Sequence, residues 1–277
     1  MADDDRRETA ASLATNVESL AAQERLADAL TASDDLVELF GDEADPQIRF
    51  QVGRARSFVA ILLMNAGRLE DAAALFDEVV RGAGDENGDL RRLGAAALAT
   101  EARVLARLGR IDRALAALDE LEGRGVDLDG LPDAVAEVLF ARGFVMGHRG
   151  ALDEAMASHE EVVRRFAESP SPQARAFAAA ALHDTAAIWQ RRGADDADER
   201  QLEVYDDVVR RFGDEDSPQV EAVVASSLLS KGNVLRGRGD AGATDAYREV
   251  SRRFGDADDP QVREVVAAAA AALVSEG

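Results

Sequence analysis

The chain has 277 residues and a formal charge of −22, from 54 acidic against 32 basic side chains, with no cysteine. That balance excludes the clustered Lys/Arg surface that grips nucleic-acid phosphates or an anionic membrane, and the missing cysteine excludes disulfides and thiolate metal sites. No apolar run reaches the roughly 18–20 residues that span a bilayer, and Met1-Ala2-Asp3-Asp4-Asp5 is acidic where a signal peptide is basic, so a cytoplasmic protein is expected. Of the basic residues only Lys231 is lysine. Asp-rich, Lys-poor composition suits a halophile or a GC-rich genome. The charge reads first as a solvated surface and second as attraction for a basic partner.

Residues 1–8 are expected to be disordered, and Thr9 to Phe40 reads as a degenerate first helical unit ending in Phe40-Gly41-Asp42. Asp45-Pro46-Gln47 then starts a helix: the carboxylate accepts from free helix-start amides and proline fits the first helical position. Val52, Ala55, Val59, Leu62 and Leu63 recur at helical spacing, and Asn65-Ala66-Gly67 stops the helix. A second helix follows, with Ala72, Leu75, Phe76, Val79 and Val80 on one face, ending at Arg81-Gly82. Two amphipathic helices joined by so short a turn pack antiparallel.

The same unit recurs down the chain. Helix starts reappear at Ser171-Pro172-Gln173, Ser217-Pro218-Gln219 and Asp259-Pro260-Gln261, so the prolines stand 126, 46 and 42 residues apart. The turn glycines Gly67, Gly109, Gly150, Gly193 and Gly239 are spaced by 42, 41, 43 and 46. The long last interval marks an insertion near Ala241-Gly242 or a register change, and Asp195-Asp196-Ala197-Asp198-Glu199 is expected to lengthen the turn after Gly193. Residues 260–277 read as a lone alanine-rich capping helix. A fixed period in this range means stacked supersecondary units, each burying its face on its neighbours. One elongated domain over 1–277 is therefore expected.

Chemistry is sparse. His159 falls at an aromatic core position of its helix and reads as a buried histidine with a local partner. His148 sits at a helix C-terminus, where a cation favours the dipole. His183-Asp184 lies on a first helix and could face a groove formed by those helices, but no further ligands gather as a metal site needs. The acidic loops Gly213-Asp214-Glu215-Asp216 and Gly255-Asp256-Ala257-Asp258-Asp259 lack the EF-hand order of ligands. No phosphate-binding glycine loop and no catalytic constellation is evident. No cofactor and no metal are expected.

These residues resemble tetratricopeptide repeats, whose helices carry a large, a small and an aromatic residue in the first helix and Ala-x3-Phe in the second. The small positions are Ala60, Ala102, Gly143, Ala186 and Gly232, and the later bulky ones Leu63, Leu105, Met146, Trp189 and Leu235. Leu98, Leu139, Leu182 and Leu228 precede the small residues, where Arg56 breaks the pattern. The second-helix pairs are Ala72/Phe76, Ala114/Leu118, Ala155/His159, Gln201/Tyr205 and Ala243/Tyr247. The resemblance covers about residues 40–275 and departs from the family in its period of about 42 rather than 34 and in the place of its proline. A HEAT-like helical-repeat solenoid is the alternative fold.

The resemblance implies an all-α, right-handed superhelical solenoid of antiparallel helix hairpins, about six repeats plus a C-terminal capping helix. It also implies a non-enzymatic scaffold that binds protein or peptide on the concave face of its first helices. That face would hold Arg54, Ser57, Ile61, Arg103, Arg107, Phe140, Phe144, His183, Asp184, Asn233 and Arg236. With Phe58 and Arg191 it would suit an extended peptide carrying carboxylates. Relatives that clamp a C-terminal carboxylate use Lys, Asn and Arg on successive first helices. Here those slots read Ser57/Ile61, Ala99/Arg103, Phe140/Phe144, His183/Ala187 and Leu229/Asn233, so chaperone tails are not expected. A sensor of a small peptide or metabolite and a self-associating structural protein are the other readings. A monomer or weak homo-oligomer is expected.

Overall fold

The computed structural model describes residues 3–84 and 88–275. Among the described residues the chain is all-helical, thirteen α-helices packed as sequential antiparallel pairs. The first helices of the pairs are α1 (Asp3–Ala22), α3 (Pro46–Asn65), α5 (Asp89–Arg107), α7 (Pro132–His148), α9 (Pro172–Arg192) and α11 (Pro218–Gly237). Their partners are α2 (Leu26–Phe40), α4 (Leu69–Ala83), α6 (Ile111–Gly123), α8 (Leu152–Phe166), α10 (Ala197–Phe212) and α12 (Gly242–Phe254). The capping helix is α13 (Pro260–Ser275); residues 276–277 lie outside the described residues, as do 1–2 of the segment expected to be disordered. Residues 3–8 are helical instead, tied down by ion pairs from Arg6 to Glu43 and from Arg7 to Asp45.

The chain divides into two compact units, residues 1–138 and 139–277, with the division inside α7. Within the first unit α1 packs on α3 and α3 on α5; within the second α9 packs on α11 and α11 on α13. Among the described residues no second helix of a unit touches another second helix. The first helices therefore close up into a continuous layer on the inside of each unit's curve, and the second helices stand apart on the outside.

Local chemistry sets these boundaries. The Asp45 carboxylate accepts from the amides of Gln47 and Ile48 at 2.8 and 3.3 Å, Asp259 from those of Gln261 and Val262 at 2.8 and 3.1 Å, and Ser171 from Ala174 at 3.3 Å. Ser217 departs from the expected cap: its hydroxyl donates to Gln219 Oε1 at 3.1 Å instead. All five turn glycines have φ between 62° and 82°, left-handed backbone that excludes most side chains. The lengthened interval is explained at Gly193, not near Ala241-Gly242. Tyr205 follows its turn glycine by twelve residues, where Phe76, Leu118 and His159 follow theirs by nine, and α10 starts only at Ala197.

The α7–α8 and α11–α12 hairpins close where a second-helix ring meets the small residue of the first helix. Phe76, His159, Tyr205 and Tyr247 are buried. At Gly143 an added methyl would stand 2.6 Å from His159 Cε1, and at Gly232 it would stand 2.7 Å from Tyr247 Cδ1. Alanine in mid-helix gains up to about 1 kcal/mol over glycine in propensity, but overpacking a filled core costs about 1–3 kcal/mol. Gly232→Ala is therefore expected to lower the denaturation midpoint. Gly232→Ala/Tyr247→Leu is expected to recover part of the loss, since Ala102 and Leu118 hold the equivalent positions in α5 and α6. Chemical denaturation of both variants checks this, and an unchanged midpoint for Gly232→Ala contradicts it.

Candidate functional site

The inside layer of each unit is where first-helix side chains meet solvent, and the two units present different surfaces. In the first unit Arg54 pairs with Glu18 at 2.7 Å, and the Ser57 hydroxyl donates to the Gly53 carbonyl at 2.9 Å. Arg103 is neutralised by Glu137 at 2.6 Å. Arg107 is exposed and has no hydrogen-bond or ion-pair partner among the described residues. Phe58 and Ile61 on α3 are each 41% exposed. Glu137 was not anticipated from sequence. The signal lies in the repeat register: Glu137 stands two helical turns before Phe144, the residue that takes the place of Arg103 in the next first helix.

In the second unit Phe140, expected on the open face, is half-buried. Its ring lies 5.7 Å from that of His159 and 5.6 Å from that of Phe177. One turn later Phe144 is 50% exposed, with its ring 4.2 Å from His148. The Ser227 hydroxyl donates to the Val223 carbonyl, so His183 donates to Ser227 from Nδ1, at 2.8 Å. Asn233 Oδ1 accepts from the Tyr247 hydroxyl at 2.9 Å and from Arg236 at 3.3 Å. The guanidinium of Arg236 lies 5.7 Å from the centre of the Tyr247 ring. Arg191 caps the Gly147 carbonyl at 2.5 Å.

The group of cations expected from sequence is therefore smaller in fact. Arg103 and Arg191 are held by a carboxylate and a helix end, while Arg107 and Arg236 remain on open faces. His159, expected in or near the core with a local partner, is buried against the Phe140 ring, and its Nδ1 has no hydrogen bond among the described residues. No group of three or more His, Asp or Glu among the described residues is placed to hold a metal ion, and none of the described helices is long and apolar enough to cross a membrane.

Comparison with known proteins bears on the fold. No protein-family model matches the chain, and no curated protein matches it. Among solved structures, BtubC (BKLC) from P. vanneervenii is similar over 88% of this chain and 94% of its own, with a TM-score of 0.56 and 17% identity. At that identity the likeness shows the fold alone: an all-α arrangement of sequential helix pairs like that of the tetratricopeptide-repeat-containing BtubC.

Two buried ionisable groups and one half-buried one give the fold a pH dependence. Burial raises the Glu101 carboxyl from 4.5 to about 7, with Asp77 adding to the rise and Arg113 opposing it. Burial also raises Asp184 from 3.8 to about 6, opposed by His148, and lowers His159 from 6.5 to about 4. Between 4.5 and about 7 the folded chain keeps a proton on Glu101 that the unfolded chain has lost, so this group's contribution to stability falls as pH rises through that window. His159 acts on the other side: the unfolded imidazole takes up a proton below 6.5 that the folded one refuses, so stability falls as pH drops toward 4. Glu101→Gln is expected to gain a few °C in Tm on the parent between about pH 5 and pH 8. Melting curves at the two pH values check this, and a constant difference contradicts it.

Proposed function

We propose that this chain is a non-enzymatic scaffold that binds a protein or peptide segment on the inside faces of its first helices. The observation that carries the reading is where apolar surface is left open. The large hydrophobic side chains exposed among the described residues are Leu39, Phe58, Ile61, Phe144 and Val274. Three of these lie on first helices, and Ile61 and Phe144 occupy the same repeat position, each one residue past the small residue. A fold that buries its own large apolar groups so thoroughly elsewhere has no packing reason to expose them in register. Anchors of this kind, rimmed by polar and charged groups, mark interaction surfaces.

In the first unit the surface is Phe58, Ile61 and the free Arg107. In the second it is Phe144 with the exposed Asn233 and Arg236, whose donors face solvent in part. Two of the side chains that supply this surface rest on a neighbour: Arg236 lies over the Tyr247 ring, and Asn233 accepts from the Tyr247 hydroxyl. Pre-ordering of this kind lowers the entropic cost of binding. The likeness to BtubC supports a helical-repeat scaffold and leaves the partner to be found by its chemistry.

Selection from a random peptide library tests the proposal. Peptides enriched on the parent are expected to lose about tenfold or more in affinity, at least about 1.4 kcal/mol, on Ile61→Asp/Arg107→Glu or on Phe144→Asp. They are expected to keep their affinity on Leu39→Asp, which alters an exposed apolar residue of an outer helix. Enrichment of nothing, or of peptides indifferent to the first-helix changes, contradicts it.

A further inference from the structure

The α11–α12 hairpin gathers hydrogen-bond donors that its own fold leaves without an acceptor. Arg236 lies on α11 and is exposed. It has no carboxylate partner among the described residues, in a chain whose acidic side chains outnumber the basic ones by 54 to 32. What holds it is neutral. Its guanidinium lies 5.7 Å from the centre of the Tyr247 ring, and its Nη2 donates to Asn233 Oδ1 at 3.3 Å. The Tyr247 hydroxyl donates to the same oxygen at 2.9 Å. Arginine can only donate, so the Asn233 atom that faces it is the oxygen, and the amide nitrogen is turned the other way. That nitrogen, with Nε and Nη1 of Arg236, donates to nothing among the described residues. The amide oxygen is already taken by two donors, so what Asn233 and Arg236 still offer is N–H.

This cluster belongs to one hairpin. At the place of Asn233 the other first helices carry Ile61, Arg103, Phe144 and Ala187, and at the place of Arg236 they carry Met64, Ala106, Gly147 and Gln190. The tyrosine ring reaches the pair because Gly232 has no side chain: an added methyl there would stand 2.7 Å from Tyr247 Cδ1. The space beside the pair is open as well. Gly237, one turn past Asn233, stands where the other first helices carry Asn65, Arg107, His148 and Arg191, and an added methyl at Gly237 would meet nothing within 4 Å.

A guanidinium beside an amide N–H, both free to donate, is the chemistry that grips the two oxygens of a carboxylate. The negative charge of the whole chain does not cancel it, since exposed charges more than about 8 Å away are screened at physiological ionic strength. Both residues are exposed on an open helix face. A bound segment can therefore run past them on either side, and the carboxylate that fits is one carried on a side chain within the segment.

We propose that Asn233 and Arg236 receive the carboxylate of an aspartate or glutamate side chain in the bound segment. The inference rests on the peptide-binding reading above and adds to it a required residue of the ligand.

The test uses the whole chain and three peptides. Ac-Gly-Glu-Gly-NH2 carries the side-chain carboxylate, its glutamine counterpart keeps the shape without the charge, and Ac-Gly-Gly-Gly-OH carries a carboxylate only at its end. Side-chain N–H signals of Asn233 and the arginines are followed by NMR during titration. The glutamate peptide is expected to shift the Asn233 amide and Arg236 Nε–H signals saturably, the glutamine peptide to shift neither, and the terminal carboxylate to bind several-fold more weakly. Arg236→Gln and Asn233→Asp are each expected to weaken the glutamate peptide by about tenfold. Gly237→Leu, at the exposed end of α11, is expected to weaken it by filling the open space, and Arg263→Gln, which removes an exposed arginine of α13, to leave it unchanged. No saturable shift with the glutamate peptide, an equal response to the glutamine peptide, a terminal carboxylate that binds as tightly, or equal losses from Arg236→Gln and Arg263→Gln overturns the proposal. Library peptides that bind through Ile61 or Phe144, carry no acidic residue and are indifferent to Arg236→Gln would overturn this inference and leave the scaffold reading standing.

Discussion

A ring set against a small residue controls the geometry of this molecule. Where His159 meets Gly143 and Tyr247 meets Gly232, the approach leaves no room for a methyl group. At the other hairpins alanine holds the same place, at Ala60, Ala102 and Ala186. Burying one such side chain contributes about 1.5–3 kcal/mol, and a single hairpin cannot bury its face alone. The contact closes the α7–α8 and α11–α12 hairpins, and each copy fixes how closely the second helix lies on its first. That spacing brings consecutive first helices into contact and keeps the second helices apart. The inside faces are continuous within each unit for this reason.

The second constraint is electrostatic and uses the arginine fork. Arginines near helix ends reach across hairpins to the free carbonyls that end other helices. Arg49 donates to the Gly82 carbonyl at 2.7 Å and Arg191 to that of Gly147 at 2.5 Å, and Arg91 and Arg253 reach the carbonyls of Arg124 and Gly213. Arg175 does two things at once: it donates to the Ser169 carbonyl at 2.6 Å and grips both oxygens of Glu215 at 2.7 and 2.9 Å. A planar fork makes that double attachment, and an ammonium does not. Exposed pairs such as Arg81–Asp77 contribute little by comparison. In a chain of charge −22, most cations placed by sequence on the inner face therefore serve the fold. The groups left to a ligand are Arg107, Arg236 and the open rings.

The elements were legible because their signals are local. Proline after Asp or Ser, glycine in the turn and apolar residues at helical spacing each act within a few residues, and they recur often enough to give the period and the hairpins. What stayed hidden depends on neighbours distant in sequence. Phe140 and Phe144 are one turn apart on one helix. The arrival of His159 from α8 and Phe177 from α9 half-buries the first, while the second stays open. The Arg103–Glu137 pair spans hairpins, and Ser217, identical in type to Ser171, turns its hydroxyl to Gln219 rather than to its helix. The division into two units was invisible because the repeat runs through residues 138 and 139 without a break.

The central claim is that recognition takes place on the first helices. Hydrogen exchange on the whole chain, with and without a saturating library-selected peptide, measures it most directly. The account predicts added protection in α3 and α5, or in the Phe144 turn of α7 with α9 and α11, and none in α2, α4, α10 or α12. Protection concentrated on those outer helices, or in the loops between hairpins, would contradict it.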